Sequence, residues 1–198
     1  TSVKDIESWD RAFYGFNGVF NPESIITILM NDDPLVKGSF NKWEEMIRPS
    51  SIANNDGAGI PAPDEILMAF PMKDGRAATV ENGYDDEKFY RNRDPRFYRT
   101  FAFSGCEWIK QPQKQLWLFT YKYSDNENNM YRYTDGRKGD GGAQGKSRAL
   151  VWKMSDPNIA IGSESISGTD VMEYRYGELL LNLAECYAAQ GNAGECLK

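Results

Sequence analysis

Four rings, Trp108, Trp117, Tyr131 and Tyr133, stand in a polar, turn-rich stretch of the chain with no helical stripe to absorb them. Flat rings of this kind serve one chemistry well. A sugar has apolar C–H faces and a polar rim, so sites for it combine aromatic platforms with amides, carboxylates and arginine. Trp108 lies just past the turn at Gly105, and Trp117, Tyr131 and Tyr133 lie on an expected β-hairpin, which makes these four the candidate binding residues. The same rings could equally fill irregular gaps in a loop-rich body, and both uses stay open at this point.

Other chemistries are weaker. Histidine is absent, which removes the commonest general base near neutral pH and the commonest zinc ligand. Cys106, Cys186 and Cys196 are odd in number and form no CxxC, so neither a disulfide framework nor a thiolate metal site is expected. The adjacent acids Glu44-Glu45 and Asp85-Asp86 read as solvated first-turn residues, not as the two flanking carboxylates of a glycosidase. "DGGAQGKS", residues 140–147, misses a phosphate-binding loop by one residue, with Asp140 where the first glycine is needed. That loop must join a buried strand to a helix, whereas here a strand-like segment follows it. "SDNENN" and "TDGRKGD" lack the regular oxygen spacing of a calcium loop. No catalytic residue, cofactor or metal site is therefore predicted, and the expectation is that the chain is not an enzyme.

Composition narrows the partners. With 198 residues, 40% apolar and 26% charged, the chain is ordinary for a globular protein. Its net charge of −6, from 23 basic and 29 acidic residues spread along the chain, argues against nucleic acid. No run has the length of a transmembrane helix, and residue 1 opens without a basic-then-apolar leader, so an export signal is expected to have been removed or to lie upstream.

The elements that must position these residues follow from periodicity and turn chemistry. Val3, Ile6, Trp9, Phe13 and Phe16 step by three and four, predicting a helix that ends near Phe20. "ESIITILM", residues 23–30, is β-branched and short, predicting a buried strand. Helical turns are predicted in "KWEEMIRPSS", in "PDEILMAF" behind Pro63, and in "YDDEKFYR", with "IANNDGAGIPAP" as a connector that packs little. In "NRDPRFYRTFAFSG", residues 92–105, Asp94-Pro95 starts one helical turn that passes into extended chain. Its arginines are expected to lock that junction by pairing with Asp94 and with Asp85 or Asp86. Residues 115–124 and 129–136 are predicted as the two strands of the aromatic hairpin, and 148–157 as a further strand.

The clearest pattern is the last. "YRYGELLLNLAECYAAQ" puts Tyr176, Leu180, Leu183, Ala184 and Tyr187 on one helical stripe; Gly191 ends the helix and Asn192 can cap another. With Cys196 at a small-residue position, residues 171–198 match one truncated helical hairpin of tetratricopeptide type. Such a unit cannot bury its apolar face alone, so the chain is expected to be an incomplete piece of a larger protein.

Four segments, in order over residues 61–192, resemble the SusD/RagB family of outer-membrane nutrient-binding lipoproteins of Bacteroidetes. They are "PDEILMAFPMKDG", "FYRNRDPRFYRTFAFSGCEW", "ALVWKMSDP" and "YRYGELLLNLAECYAAQGN". Residues 1–60 match only loosely, and Gly177 stands where the family usually has alanine. The resemblance implies a mainly α fold with irregular loops and short β-hairpins, built on tetratricopeptide-type helical hairpins, with residues 1–198 part of a single domain incomplete at both ends. It implies non-catalytic binding of glycans, or in some members peptide, at the cell surface for uptake through a SusC-type TonB-dependent transporter. Membrane attachment would then run through a lipid anchor absent from this chain. The alternative reading is a tetratricopeptide-type module that binds a protein or peptide.

Overall fold

The computed structural model describes residues 21–36, 40–48, 59–103, 147–156 and 162–196, together with positions 9, 12, 13, 38, 159 and 160. Residues 15–16, 106–111, 114–118, 122–123 and 130–131 are described by their backbone, with the Cys106 side chain.

Aromatic residues make the core because the segment around Asp94-Pro95 delivers them from both sides of a sharp turn. Helix α3 (Phe97–Thr100) is a single turn, started by the Phe97 amide donating to Asp94 O at 2.9 Å, and strand β3 (Phe101–Phe103) follows at once. Phe97 sits at the centre, with ring centroids of Phe101, Phe70, Phe103 and Phe89 at 5.1, 6.0, 6.1 and 6.3 Å. Several of these pairs meet edge to face, the arrangement the ring quadrupole favours. Alternation along β3 sends Phe101 and Phe103 into this cluster and Ala102 into a second one with Ile47 and Leu150. One strand therefore serves two cores. Its partner is β8 (Ala149–Val151), antiparallel with Ala102 opposite Leu150.

The expected junction of turn and strand is thus present, but several neighbours differ from expectation. "YDDEKFYR" forms turns and no helix; its Asp85 carboxylate bonds the amides of Glu87 and Lys88 locally instead of starting a helix. The end of the expected connector packs closely: Gly59 and Ala62 are buried, and Ile60 O accepts the Val151 amide at 2.7 Å. Helices α1 (Trp43–Ile47) and α2 (Asp64–Ala69) form as the sequence predicts, with Pro63 capping α2.

The second body is an antiparallel sheet of order β1-β9-β2, with β1 at Gly15–Phe16, β2 at Ser24–Ile28 and β9 at Thr169–Arg175. Phe16 lies opposite Thr169 in strand pairing, so the first helix does not run on to Phe20; most of that expected helix falls outside the described residues. Strand β2 forms as its β-branched run predicts, but it is not buried: Ile25, Ile26, Ile28 and Leu29 are exposed. It is an edge strand, paired on one side only with β9.

Strand β9 turns directly into helix α4 (Tyr176–Ala189), so Tyr174 and Arg175, read from sequence as helical, are extended. Glu23 makes the corner. Its backbone oxygen accepts the Tyr176 amide at 2.7 Å and its carboxylate accepts the Gly177 amide at 3.2 Å, satisfying two of the helix's free N–H groups from a different segment. Gly191, at φ 73°, ends the hairpin turn, and Asn192 caps α5 (Ala193–Cys196). No residue of α4 is buried, and Leu181 is 71% exposed. Among the described residues α4 is the only helix longer than six residues, and nine strands stand beside five α-helices. Helix and strand are thus present in similar measure among the described residues, and the mainly α character expected of the whole domain is not confirmed by them.

Candidate functional site

The arginine-rich stretch is occupied internally. Arg93 is 1% exposed; its guanidinium donates to Phe89 O and Phe70 O at 2.7 Å each and to Leu67 O. It also lies 4.5 Å over the Phe97 ring. The last carbonyls of α2 are thereby satisfied by a cation, which suits the negative end of a helix. Burial holds the Arg93 pKa below its ordinary value. The expected pairing with Asp94 is made by Arg96, through contacts of 2.8 and 2.9 Å, and not by Arg93. Asp86 goes to Arg148 at 2.7 Å, a residue that sequence reasoning left out of the cluster. Arg148 also reaches Asp64 and Tyr84 and lies 4.7 Å over Phe89. Hydrogen bonding from Arg148 and then from Tyr84 holds the Asp86 carboxyl below the usual range.

A second charged cluster corrects the reading of Glu44. It is not solvated: it is 1% exposed, accepts from Arg48 Nε at 2.7 Å, from Ser155 at 3.0 Å and from the Asp156 amide at 2.7 Å. Arg48 in turn donates to Ile159 O and Asp156 O and faces Glu164 at 3.7 Å. Burial pushes the Glu44 carboxyl up, against the pull of Arg48. Both oxygens of Glu44 are held by the protein, so this cluster clamps α1 to residues 155–164. Asp85 and Asp86 are exposed, as expected, but they start no helix.

Three of the four predicted binding residues lie on two ribbons. Strands β4 (Cys106–Gln111) and β5 (Lys114–Leu118) pair antiparallel, with Glu107 opposite Trp117 and a register shift between Glu107 and Lys110. Trp108 follows Glu107 directly, so the backbone brings both tryptophans to one short length of one hairpin. Tyr131 is on β7 (Met130–Tyr131), which pairs with β6 (Lys122–Tyr123) in a separate ribbon. Tyr133 lies outside the described residues. The predicted strand 115–124 is thus divided: its first half pairs backwards with 106–111, a partner that sequence reading did not supply, and its second half pairs forwards.

Sequence reasoning also missed a basin lined by Met72, Lys73, Asp74, Asn82, Gly83 and Asn92, with a volume of about 490 Å³. Its residues come from three separated turns, and no local pattern announces it. The turn after α2 is held by Met72 N donating to Arg76 O at 2.8 Å, and Lys73 N donates across to Asn92 O at 2.8 Å. Asn92, at φ 52°, and Gly83, at φ 87°, occupy the left-handed region, which asparagine and glycine enter most readily. Among the described residues no group of three or more acids and cysteines could hold a metal ion, and no helix is long and apolar enough to cross a membrane.

An aromatic core, a helical hairpin that continues from a three-stranded sheet, and two-stranded ribbons together make a fold that solved structures share. A SusD-like protein from Bacteroides fragilis NCTC 9343 superposes with a TM-score of 0.66 at 22% identity, covering 96% of this chain and 36% of that one. A SusD-like carbohydrate binding protein from the same organism gives a TM-score of 0.59 at 17% identity, covering 95% and 35%. The fold is therefore SusD-like, and the chain spans about a third of the length of these structures. The model of the SusD family matches residues 22–198, and the chain belongs to that family. No curated protein matches the sequence.

Proposed function

We propose that the chain is part of a non-catalytic glycan-binding protein of the cell surface, and that Trp108, Trp117, Tyr131 and Tyr133 are its ring platforms. The likeness to a SusD-like carbohydrate binding protein carries this reading. Hairpin β4–β5 supports it, because its register sets two tryptophans within one short ribbon that also carries Glu107, Lys110 and Gln115, the polar types a sugar rim requires. In the same reading the protein is lipid-anchored at the outer membrane and hands oligosaccharide to a SusC-type TonB-dependent transporter.

Residues 1–198 are then part of one SusD/RagB-like domain, and the helical hairpin α4–α5, which makes up residues 176–196 of the expected 171–198 unit, docks on sister helical hairpins of the same polypeptide. The four exposed leucines of α4, Leu179, Leu180, Leu181 and Leu183, support that arrangement. The same leucines favour the second reading, a groove that holds a peptide or partner protein. A glycan array probed with the intact protein separates the two. Binding to oligosaccharides that is lost with the Trp108 and Trp117 side chains supports the glycan reading; no binding to any glycan defeats it.

A further inference from the structure

The basin beside the turn after α2 has a lopsided inventory of polar groups. Asp74 is the one carboxylate among its lining residues, and it is already spent: Arg76 donates to it from Nε at 2.8 Å and from Nη2 at 2.7 Å. The hydrogen bond from Arg76 holds the Asp74 carboxyl below the usual range, so it stays ionised and paired. The Asn82 side-chain oxygen is spent too, accepting from Arg76 Nη1 at 3.1 Å, while its amide group donates to Ala77 O at 2.9 Å and keeps a second N–H. What remains is mostly donors. The Lys73 ammonium has no carboxylate partner among the described residues, and the Asn92 amide makes no side-chain hydrogen bond among them.

The basin's frame is rigid where its contents are free. Met72, 4% exposed, forms the apolar base and bridges to Arg93, whose guanidinium is buried in the aromatic core. The Asp94 amide donates to Pro71 O at 3.0 Å, closing the same junction from the other side. The arginine motif therefore welds the wall that carries Lys73 to the wall that carries Asn92. Unpartnered donors around an apolar base, in an open basin with room for a sugar ring, describe a site for a polyhydroxylated anion.

Resting on the glycan reading above, we infer that this basin is a second saccharide subsite, separate in sequence from the tryptophan hairpin, and that it takes a uronic acid residue. The sugar carboxylate would meet the Lys73 ammonium, and ring hydroxyls would meet the amides of Asn92 and Asn82. A neutral sugar leaves the lysine charge unanswered, so the basin discriminates by charge where the rings discriminate by shape.

The test is calorimetric titration of the intact protein with trimers of galacturonate, glucuronate, mannuronate and guluronate, and with neutral galactotriose and maltotriose. Lys73 is exposed, so Lys73→Gln and the charge-retaining Lys73→Arg both leave the core untouched. At least one uronate trimer is expected to bind. Lys73→Gln should weaken it about fivefold or more, the worth of one charge-assisted hydrogen bond, while Lys73→Arg and neutral-sugar affinity stay near wild type. Uronate binding that ignores Lys73→Gln, or neutral sugars binding while no uronate does, overturns the subsite and leaves the glycan reading standing. No binding of any of these trimers overturns the subsite, while the glycan reading stands or falls by the array above.

Discussion

Replacing Arg93 with methionine tests what the arginine-rich motif is for. Methionine keeps most of the buried stem and removes the guanidinium, so the three carbonyls of Leu67, Phe70 and Phe89 lose their donor in a place that water does not reach. Three bonds from a charged donor at about 1.5 kcal/mol each, with about 1 kcal/mol for the contact over Phe97, amount to roughly 5.5 kcal/mol. Against this, the uncharged side chain no longer carries the desolvation cost of a buried cation, which returns about 2 kcal/mol. The expected net loss is about 3.5 kcal/mol for Arg93→Met, and about 1 kcal/mol more for Arg93→Ala, which also gives up the stem's packing. Arg93→Lys should fall between methionine and wild type, since a compact ammonium serves fewer carbonyls than a planar fork. Urea unfolding of the intact protein, read as a midpoint shift at constant slope, measures all three. If Arg93→Met were as stable as wild type, the guanidinium would not be what satisfies those carbonyls. The motif would then have to be reread as a surface for ligand.

Asp94→Asn should cost about 1 kcal/mol at neutral pH, because Asp94 accepts the Arg96 amide at 2.9 Å and pairs with the Arg96 side chain. The hydrogen bond from Arg96 holds its folded pKa low, so its contribution is present above the ordinary carboxylate pKa and disappears as pH falls through the depressed one. Thermal melts of the two proteins should therefore converge in acid; a gap that persists there would contradict the assignment. Gly59→Ala should destabilise by at least about 1 kcal/mol, because φ is 69° and the new Cβ would meet Leu150 Cδ1 at 2.9 Å. A neutral result in the same denaturation assay would mean that the 59–62 segment does not pack against β8 as described.

What the sequence made legible was local. Helix α4 follows from a sustained 3.6-residue period, β2 from a β-branched run, and the α3–β3 junction from Asp94-Pro95, each specified by neighbours in the chain. Burial was less legible. Glu44 and Glu45 are adjacent acids in one short helix, yet Glu44 is buried because its partners, Ser155 and the Asp156 amide, are supplied from 111 and 112 residues away. In the same way Arg93 was expected to meet a carboxylate and instead meets carbonyls of a helix 23 and 26 residues earlier. The edge position of β2 and the uncovered face of α4 depend on which elements lie beside them, which neither pattern encodes. The basin at Met72, Asn82 and Asn92 is the extreme case, since each of its turns is ordinary by itself and only their juxtaposition makes a site.

The central claim is that the β4–β5 hairpin grips sugar through its tryptophans. Calorimetric titration of the Trp108→Ala, Trp117→Ala double variant, against an oligosaccharide that the wild-type intact protein binds, measures it directly. At about 1 kcal/mol per ring, affinity should fall roughly thirtyfold with the melting temperature unchanged. An affinity equal to wild type would contradict the account.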